Sequence, residues 1–119
     1  MSDWREQEAD WQARSREDNE SRVHTHAPGD GDTSSFRCEC GDLGCTSVLR
    51  LTVAEYESVR AYPTRFLIRR NHENPESEQV VEEHERFAVV DTVSGEAVKH
   101  ARRSYPRQWR QEQEPGARP

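Results

Sequence analysis

Apolar residues are sparse along this chain, and their spacing predicts short elements. Residues 45–52, CTSVLRLT, contain enough β-branched and apolar residues to predict a strand. The next segment, 52–63, carries a helix-start signal, because Thr52 at the N-cap is followed three residues later by Glu55, which is the pattern of a capping box. Pro63 ends this helix. The predicted buried face comprises Val53, Tyr56, Val59 and Arg60.

Two more segments of the chain have the pattern of strands. Residues 64–70, TRFLIRR, predict one strand, and a polar loop follows at 71–78. Residues 79–92 predict a hairpin that pairs QVVEE with RFAVVD through a short turn near His84. A helix over 75–84, begun by Pro75, is the competing interpretation of the first half of this segment.

The N-terminal segment has a different composition. Residues 3–23 contain no Gly or Pro and are rich in Glu, Gln, Arg and Ala, which predicts a helix. Trp4 and Trp11 are seven positions apart and share a face, so the helix is expected to dock by one stripe or to remain free. Pro, Gly, Asp, Ser and Thr dominate 24–35, which predicts a linker.

These segments together predict an α+β protein. We expect a small zinc-stapled domain at 36–91, with short antiparallel strands and one short helix. A charged N-terminal helix at 1–23 and the linker at 24–35 precede it, and a basic, mostly disordered tail at 92–119 follows it. Within that tail, 96–104 has a helix-like pattern.

Composition limits the classes of function. The chain has 119 residues, of which 31% are hydrophobic and 34% are charged, with a net charge of -6. Such a balance disfavours global attraction to nucleic acid or to an anionic membrane. No apolar run is long enough to span a bilayer, and the N-terminus lacks the pattern of a signal peptide. We therefore expect a cytoplasmic protein, in which thiols stay reduced.

All three cysteines lie within the octet CECGDLGC. In a locally extended chain, Cys38 and Cys40 project to the same side and can hold one ion together. The intervening GDLG, with Gly41 and Gly44, lets the chain turn back to bring in Cys45. Zinc takes four tetrahedral ligands from Cys or His, so that one ligand has to come from elsewhere in the chain.

A histidine is the expected fourth ligand. His72 lies in a loop directly after a predicted strand, and its position favours it over His84 in the hairpin turn. The remaining histidines lie in the linker or beyond the predicted domain: His24, His26 and His100.

Zinc is the expected metal. An iron–sulfur cluster commonly requires four thiolates, and a disulfide across C-x-C is strained, so neither explains three clustered cysteines as well as Zn²⁺ does. A domain as short as 36–91 also buries a small core and gains from a metal that links its parts.

Two resemblances support this interpretation. CECGDLGC resembles the post-SET zinc knuckle of histone lysine methyltransferases, which implies metal-binding geometry for the three cysteines, although the chain is too short to hold a methyltransferase domain. FRCECGDLGC, LTVAEYESVRAYPTRF, NHENPESEQVVE and RFAVV resemble a family of small uncharacterised actinobacterial proteins. That family has a Gly-His-Glu-x-Pro loop, in which Asn71 replaces the glycine here. The resemblance implies that His72 belongs to the shared pattern, and it implies no activity.

The sequence therefore predicts a non-enzymatic zinc-binding protein, a regulatory or protein-interaction module with an unidentified protein partner. A catalytic zinc would need an open position and a base such as Glu73 or Glu83, and the chain has no recognisable catalytic motif. One alternative is a nucleic-acid-binding regulator that uses the basic stretch KHARRSYPRQWR, with Tyr105 and Trp109 as stacking residues. Another is a thiol-redox or zinc-release sensor.

Overall fold

The computed structural model describes residues 4–25 and 33–106, and this part of the chain contains three helices and five strands. The predicted α+β class with short antiparallel strands is confirmed. In chain order the elements are α1 (Trp4–Thr25), β1 (Thr33–Arg37), β2 (Val48–Thr52), α2 (Val53–Arg60), β3 (Arg65–Ile68), β4 (Glu78–Glu83), β5 (Ala88–Thr92) and α3 (Gly95–Arg103).

The strands form two antiparallel sheets. Strands β1 and β2 make a two-stranded sheet in which Phe36 lies opposite Leu49. The second sheet has the order β3-β5-β4, so β5 is its central strand. The predicted hairpin is the β4–β5 pair, and the competing helix over 75–84 is wrong because Glu78–Glu83 are extended and paired with β5.

Helix α2 links the two sheets. It begins at the predicted capping box, in which the Glu55 amide donates to the Thr52 hydroxyl at 3.0 Å and the Thr52 amide donates to the Glu55 carboxylate at 2.8 Å. The ring of Tyr56 stacks on Phe36 with their centroids 4.6 Å apart. The apolar core around this stack includes Leu51, Val59, Phe66, Leu67, Ile68, Val89 and Val90.

Helix α1 docks through a polar face. Its buried residues are Gln12, Ser15, Arg16, Asn19 and Glu20, whose spacing places them on one side of the helix. Of the predicted tryptophan stripe, Trp11 is half-buried, with the Arg37 guanidinium 5.4 Å from its ring centre, and the side chain of Trp4 lies outside the described part of the structure. A polar face has no apolar periodicity, and its buried side chains therefore leave no such pattern in the sequence.

Arg16 extends from α1 into the interior of the domain. Its guanidinium is fully buried and donates to the carbonyl oxygens of Pro63, at 2.6 Å, and Ala101, at 2.8 Å. It also donates to the hydroxyl of Ser104 at 3.0 Å and lies 4.6 Å from the centre of the Phe66 ring. Burial, followed by the nearby cation of Arg60, lowers the pKa of Arg16 to about 10, so it remains charged at neutral pH.

The packed unit is larger than the predicted domain at 36–91. Helix α3 overlaps the predicted helix-like stretch at 96–104 and begins one residue before it. It buries Ala101, and Tyr105 beyond it is also buried. Of the predicted basic, mostly disordered tail at 92–119, Thr92 ends β5 and 95–103 form α3, while 107–119 lie outside the described residues. Of the predicted linker at 24–35, residues 33–35 belong to β1 and 26–32 lie outside the described residues.

Replacing Arg16 with Ala should undock α1 at this point. The change leaves buried carbonyl oxygens without their donor, so we expect a loss of about 3 kcal/mol in the free energy of unfolding. Arg14→Ala is the matched control, because Arg14 is exposed on the same helix and its loss should cost less than about 0.5 kcal/mol. Urea denaturation of both variants measures the difference, and equal losses would contradict the docking role of Arg16.

Candidate metal centre

The structure brings together the four residues singled out in the sequence. The sulfur atoms of Cys38, Cys40 and Cys45 and a ring nitrogen of His72 all lie within 4.8 Å of one another. The Nδ1 atom of His72 is 3.7 Å from the sulfur of Cys38 and 3.7 Å from that of Cys45. Metal–sulfur bonds of about 2.3 Å and a metal–nitrogen bond of about 2.0 Å at the tetrahedral angle place sulfur and nitrogen about 3.5 Å apart. The observed spacing therefore fits a single tetrahedral ion.

The first two cysteines follow strand β1 in an extended segment. The amide of Cys38 donates to the carbonyl of Ser47 at 3.0 Å, which continues the β1–β2 pairing by one residue. The amide of Glu39 donates instead to the carbonyl of Leu67 in β3, at 2.7 Å. Because side chains alternate in an extended chain, both cysteines face the centre while Glu39 faces the interior of the domain.

A tight turn returns the chain to bring in Cys45. The Cys45 amide donates to the Asp42 carbonyl at 3.1 Å, and Gly44 has a φ of 94°, in the left-handed region that favours glycine. Gly41 has a different reason to lack a side chain, because a Cβ atom there would lie 3.2 Å from the Cβ of Glu8. The turn therefore fits closely against α1.

The fourth residue comes from the end of β3. The His72 amide donates to the Arg69 carbonyl at 3.0 Å, which closes a turn between the strand and the histidine. Asn71 within this turn has a φ of 72°, the left-handed backbone that asparagine tolerates better than most residues. The Arg69 amide donates to the sulfur of Cys38 at 3.2 Å, so the same turn also supports a thiolate.

The cysteines differ in burial and in proton affinity. Cys38 and Cys40 are buried, while Cys45 and His72 are half-buried. A hydrogen bond from the Cys40 thiol, followed in its favourable effect by the Arg69 amide, lowers the pKa of Cys38 although burial opposes this. The same bond, together with burial, raises the pKa of Cys40. A bound cation would replace the proton that these two sulfurs share.

The runner-up histidine, His84, lies away from the cysteines. Its ring stacks on Phe87 at a centroid distance of 4.3 Å, and its Nε2 atom is 2.9 Å from a carboxylate oxygen of Glu82. His100 pairs with Asp10 at 2.8 Å. The side chains of His24 and His26 lie outside the described part of the structure.

The structure describes only some of the aromatic and basic residues considered for nucleic-acid binding. Tyr105 is buried, and its hydroxyl donates to the carbonyl of Arg60, so this ring is not available for base stacking. Lys99, Arg102 and Arg103 lie on α3, and Trp109 lies outside the described residues.

Glu39 is the important residue that the sequence analysis missed. Its side chain is fully buried, and its carboxylate accepts from Asn19, Tyr56 and the amide of Leu67 at distances of 2.9, 2.7 and 2.9 Å. Arg60 lies 3.8 Å away as a counter-charge. The signal in the sequence was the alternation itself, since a residue between two ligands on one side has to point to the other side.

An acidic groove lies beside the centre. Helices α1 and α3 and the loop after His72 enclose a cavity of about 1150 Å³, and His72 is part of its wall. Burial raises the pKa of Glu78 there, although hydrogen bonds from the Asn74 amide and the Gln12 side chain oppose the shift. Arg103 is the one arginine among the lining residues, which contain seven carboxyl groups: Glu6, Glu8, Asp42, Glu73, Glu76, Glu78 and Glu96.

Comparison with protein-family models, with curated proteins and with solved structures gave no match to this chain. Within the described residues, no helix is both long and apolar enough to cross a bilayer.

Removing the histidine should weaken metal binding sharply. The apparent binding free energy of a structural zinc is about 10–16 kcal/mol, so the loss of one of four ligands should lower zinc affinity by about 100-fold or more. His72→Ala is the test. His84→Ala is the matched control, because both histidines lie in loops that join strands of the same sheet. Competition with a chromophoric chelator measures both affinities. Release of zinc by His84→Ala, with His72→Ala silent, would show that the wrong histidine has been assigned.

Proposed function

We propose that the centre binds zinc and that the protein is a non-enzymatic zinc-binding module with a regulatory or protein-interaction role. The observation that carries the proposal is the set of three sulfurs and one imidazole nitrogen at tetrahedral spacing. This donor set suits the borderline-soft Zn²⁺ ion and is common in structural zinc sites.

A structural role is favoured over a catalytic one by the number of ligands. Four protein ligands fill a tetrahedron, so no position is left at which the ion could activate water. Of the two glutamates considered as bases, Glu83 pairs with Arg70 at 2.9 Å on the exposed hairpin. Glu73 lies in the wall of the acidic groove, among several other carboxyl groups.

A zinc ion in this position would link the two sheets. Cys38, Cys40 and Cys45 lie in the segment between β1 and β2, whereas His72 follows β3 in the other sheet. The ion would thus hold the two layers of a small core together, and its binding free energy would contribute to folding.

The interaction role is supported by the groove beside the centre. The loop that begins at His72 forms one wall, so a metal that fixes His72 would also fix the start of this wall. Because carboxyl groups dominate the lining, the partner that the groove favours is a positively charged segment of another protein.

Metal content and chelation test the proposal. Protein purified without a metal-affinity tag should contain one zinc per chain by elemental analysis. Removal of that zinc with a chelator should lower the midpoint of thermal unfolding markedly, since the link between the sheets is lost. Re-addition of zinc should restore it. Iron in place of zinc, or fully stable protein without metal, would overturn the assignment.

A further inference from the structure

Glu39 is bonded to β3 through both its main chain and its side chain. Its amide donates to the carbonyl of Leu67 at 2.7 Å, and its carboxylate accepts from the amide of Leu67 at 2.9 Å. The amide and the carbonyl of Leu67 are therefore both paired with Glu39, the residue between Cys38 and Cys40. Since β3 leads to His72, this double contact sets the distance between the first two cysteines and the histidine.

Helix α1 reaches the same place through Asn19. The side-chain amide of Asn19 pairs with both backbone groups of Arg37: it accepts from the amide at 2.8 Å and donates to the carbonyl at 2.9 Å. Its Nδ2 atom also donates to the Glu39 carboxylate at 2.9 Å. The contact with Arg37 fixes the orientation of the Asn19 amide, so its nitrogen faces Glu39 and its oxygen faces away.

Helix α2 completes the surroundings of the carboxylate. The hydroxyl of Tyr56 donates at 2.7 Å, and Arg60, also fully buried, supplies a positive charge at 3.8 Å. The carboxylate of Glu39 thus collects donors from α1, α2 and β3, while the residues on either side of it are metal ligands.

We propose that Glu39 is the positioning residue of the metal centre and that it couples metal binding to the docking of α1 through Asn19. The inference rests on the proposed function, because it requires an ion at the four ligands. Metal binding fixes the peptides on both sides of Glu39 and holds its carboxylate where Asn19 can reach it. Docking of α1 in turn orders Arg37 and Glu39 and so prepares Cys38 and Cys40. Coupling of this kind is reciprocal.

Two substitutions test the contact from its two ends. Glu39→Gln keeps the shape of the side chain but removes the charge opposite Arg60, and its amide group cannot accept from Leu67 and Asn19 as both carboxylate oxygens do. Asn19→Ala removes the contact from α1 and leaves the sequence of the cysteine-containing segment unchanged. Loss of a group that supports a metal ligand typically lowers metal affinity by about 10–100-fold, so each variant should bind zinc at least about tenfold more weakly than the wild type.

Controls separate positioning from general loss of stability. Gln12→Ala removes another buried amide of α1, one that donates to Glu78 at 2.7 Å. Val90→Ala creates a cavity in the central strand β5, at a fully buried position. The loss of zinc affinity in these two variants shows how much a general loss of stability lowers affinity. At equal free energy of unfolding, Glu39→Gln and Asn19→Ala should lower zinc affinity at least about fivefold more than the controls do.

The experiment uses the full chain, with zinc affinity from chelator competition and the visible absorption spectrum of the Co²⁺-loaded protein as a report on ligand geometry. We expect altered Co²⁺ bands in Glu39→Gln and Asn19→Ala, and wild-type bands in Gln12→Ala and Val90→Ala. The double variant should weaken zinc binding by less than the two single changes combined, because both changes break the Asn19–Glu39 contact.

The failures of the two proposals can be told apart. Wild-type Co²⁺ bands in Asn19→Ala, affinities that merely follow stability, or additive effects in the double variant would overturn the coupling and leave the zinc site in place. Absence of Zn²⁺ and Co²⁺ binding by the wild-type chain would overturn the zinc site and the coupling together.

Discussion

The carboxylate of Glu39 is a full charge with no exposure to water, and a charge in such a place has to be matched by donors and by a counter-ion. The domain is arranged around that requirement. Its donors come from Asn19 on α1, Tyr56 on α2 and the main chain of β3, and its counter-ion is Arg60. The polar face of α1 is thereby fixed relative to α2 and β3, and the cysteines on either side of Glu39 take their positions from the same set of contacts.

Local signals in the sequence predicted local structure well. The capping box at Thr52 and Glu55 involves neighbours in the chain, and the β4–β5 hairpin joins two strand-like stretches through a short turn, so both could be recognised without tertiary information. The meeting of His72 with the cysteines was predictable for a related reason. It requires a fixed strand end and a turn, and Asn71 supplies the left-handed residue of that turn.

The docking of α1 could not be predicted in this way. The side chains that it buries are polar, and whether Arg16 is buried depends on carbonyl oxygens that lie 47 and 85 residues along the chain. The same holds for Glu39, since an acidic residue in a hydrophilic octet gives no sign that three donors will converge on it. Polar burial is specified by tertiary partners, and a single sequence shows the donors and acceptors without showing which of them meet.

A polar interface also differs in kind from an apolar one. An apolar stripe can slide or rotate on a core and keep part of its favourable free energy, because burial of apolar surface has no direction. The face of α1 has no such freedom. Arg16 has to meet the carbonyl of Ala101 while Asn19, three residues further on, meets both backbone groups of Arg37, and a shift of one residue would leave both buried side chains without partners. The helix therefore has one docked position, and in that position it supports the residue between the first two ligands of the centre.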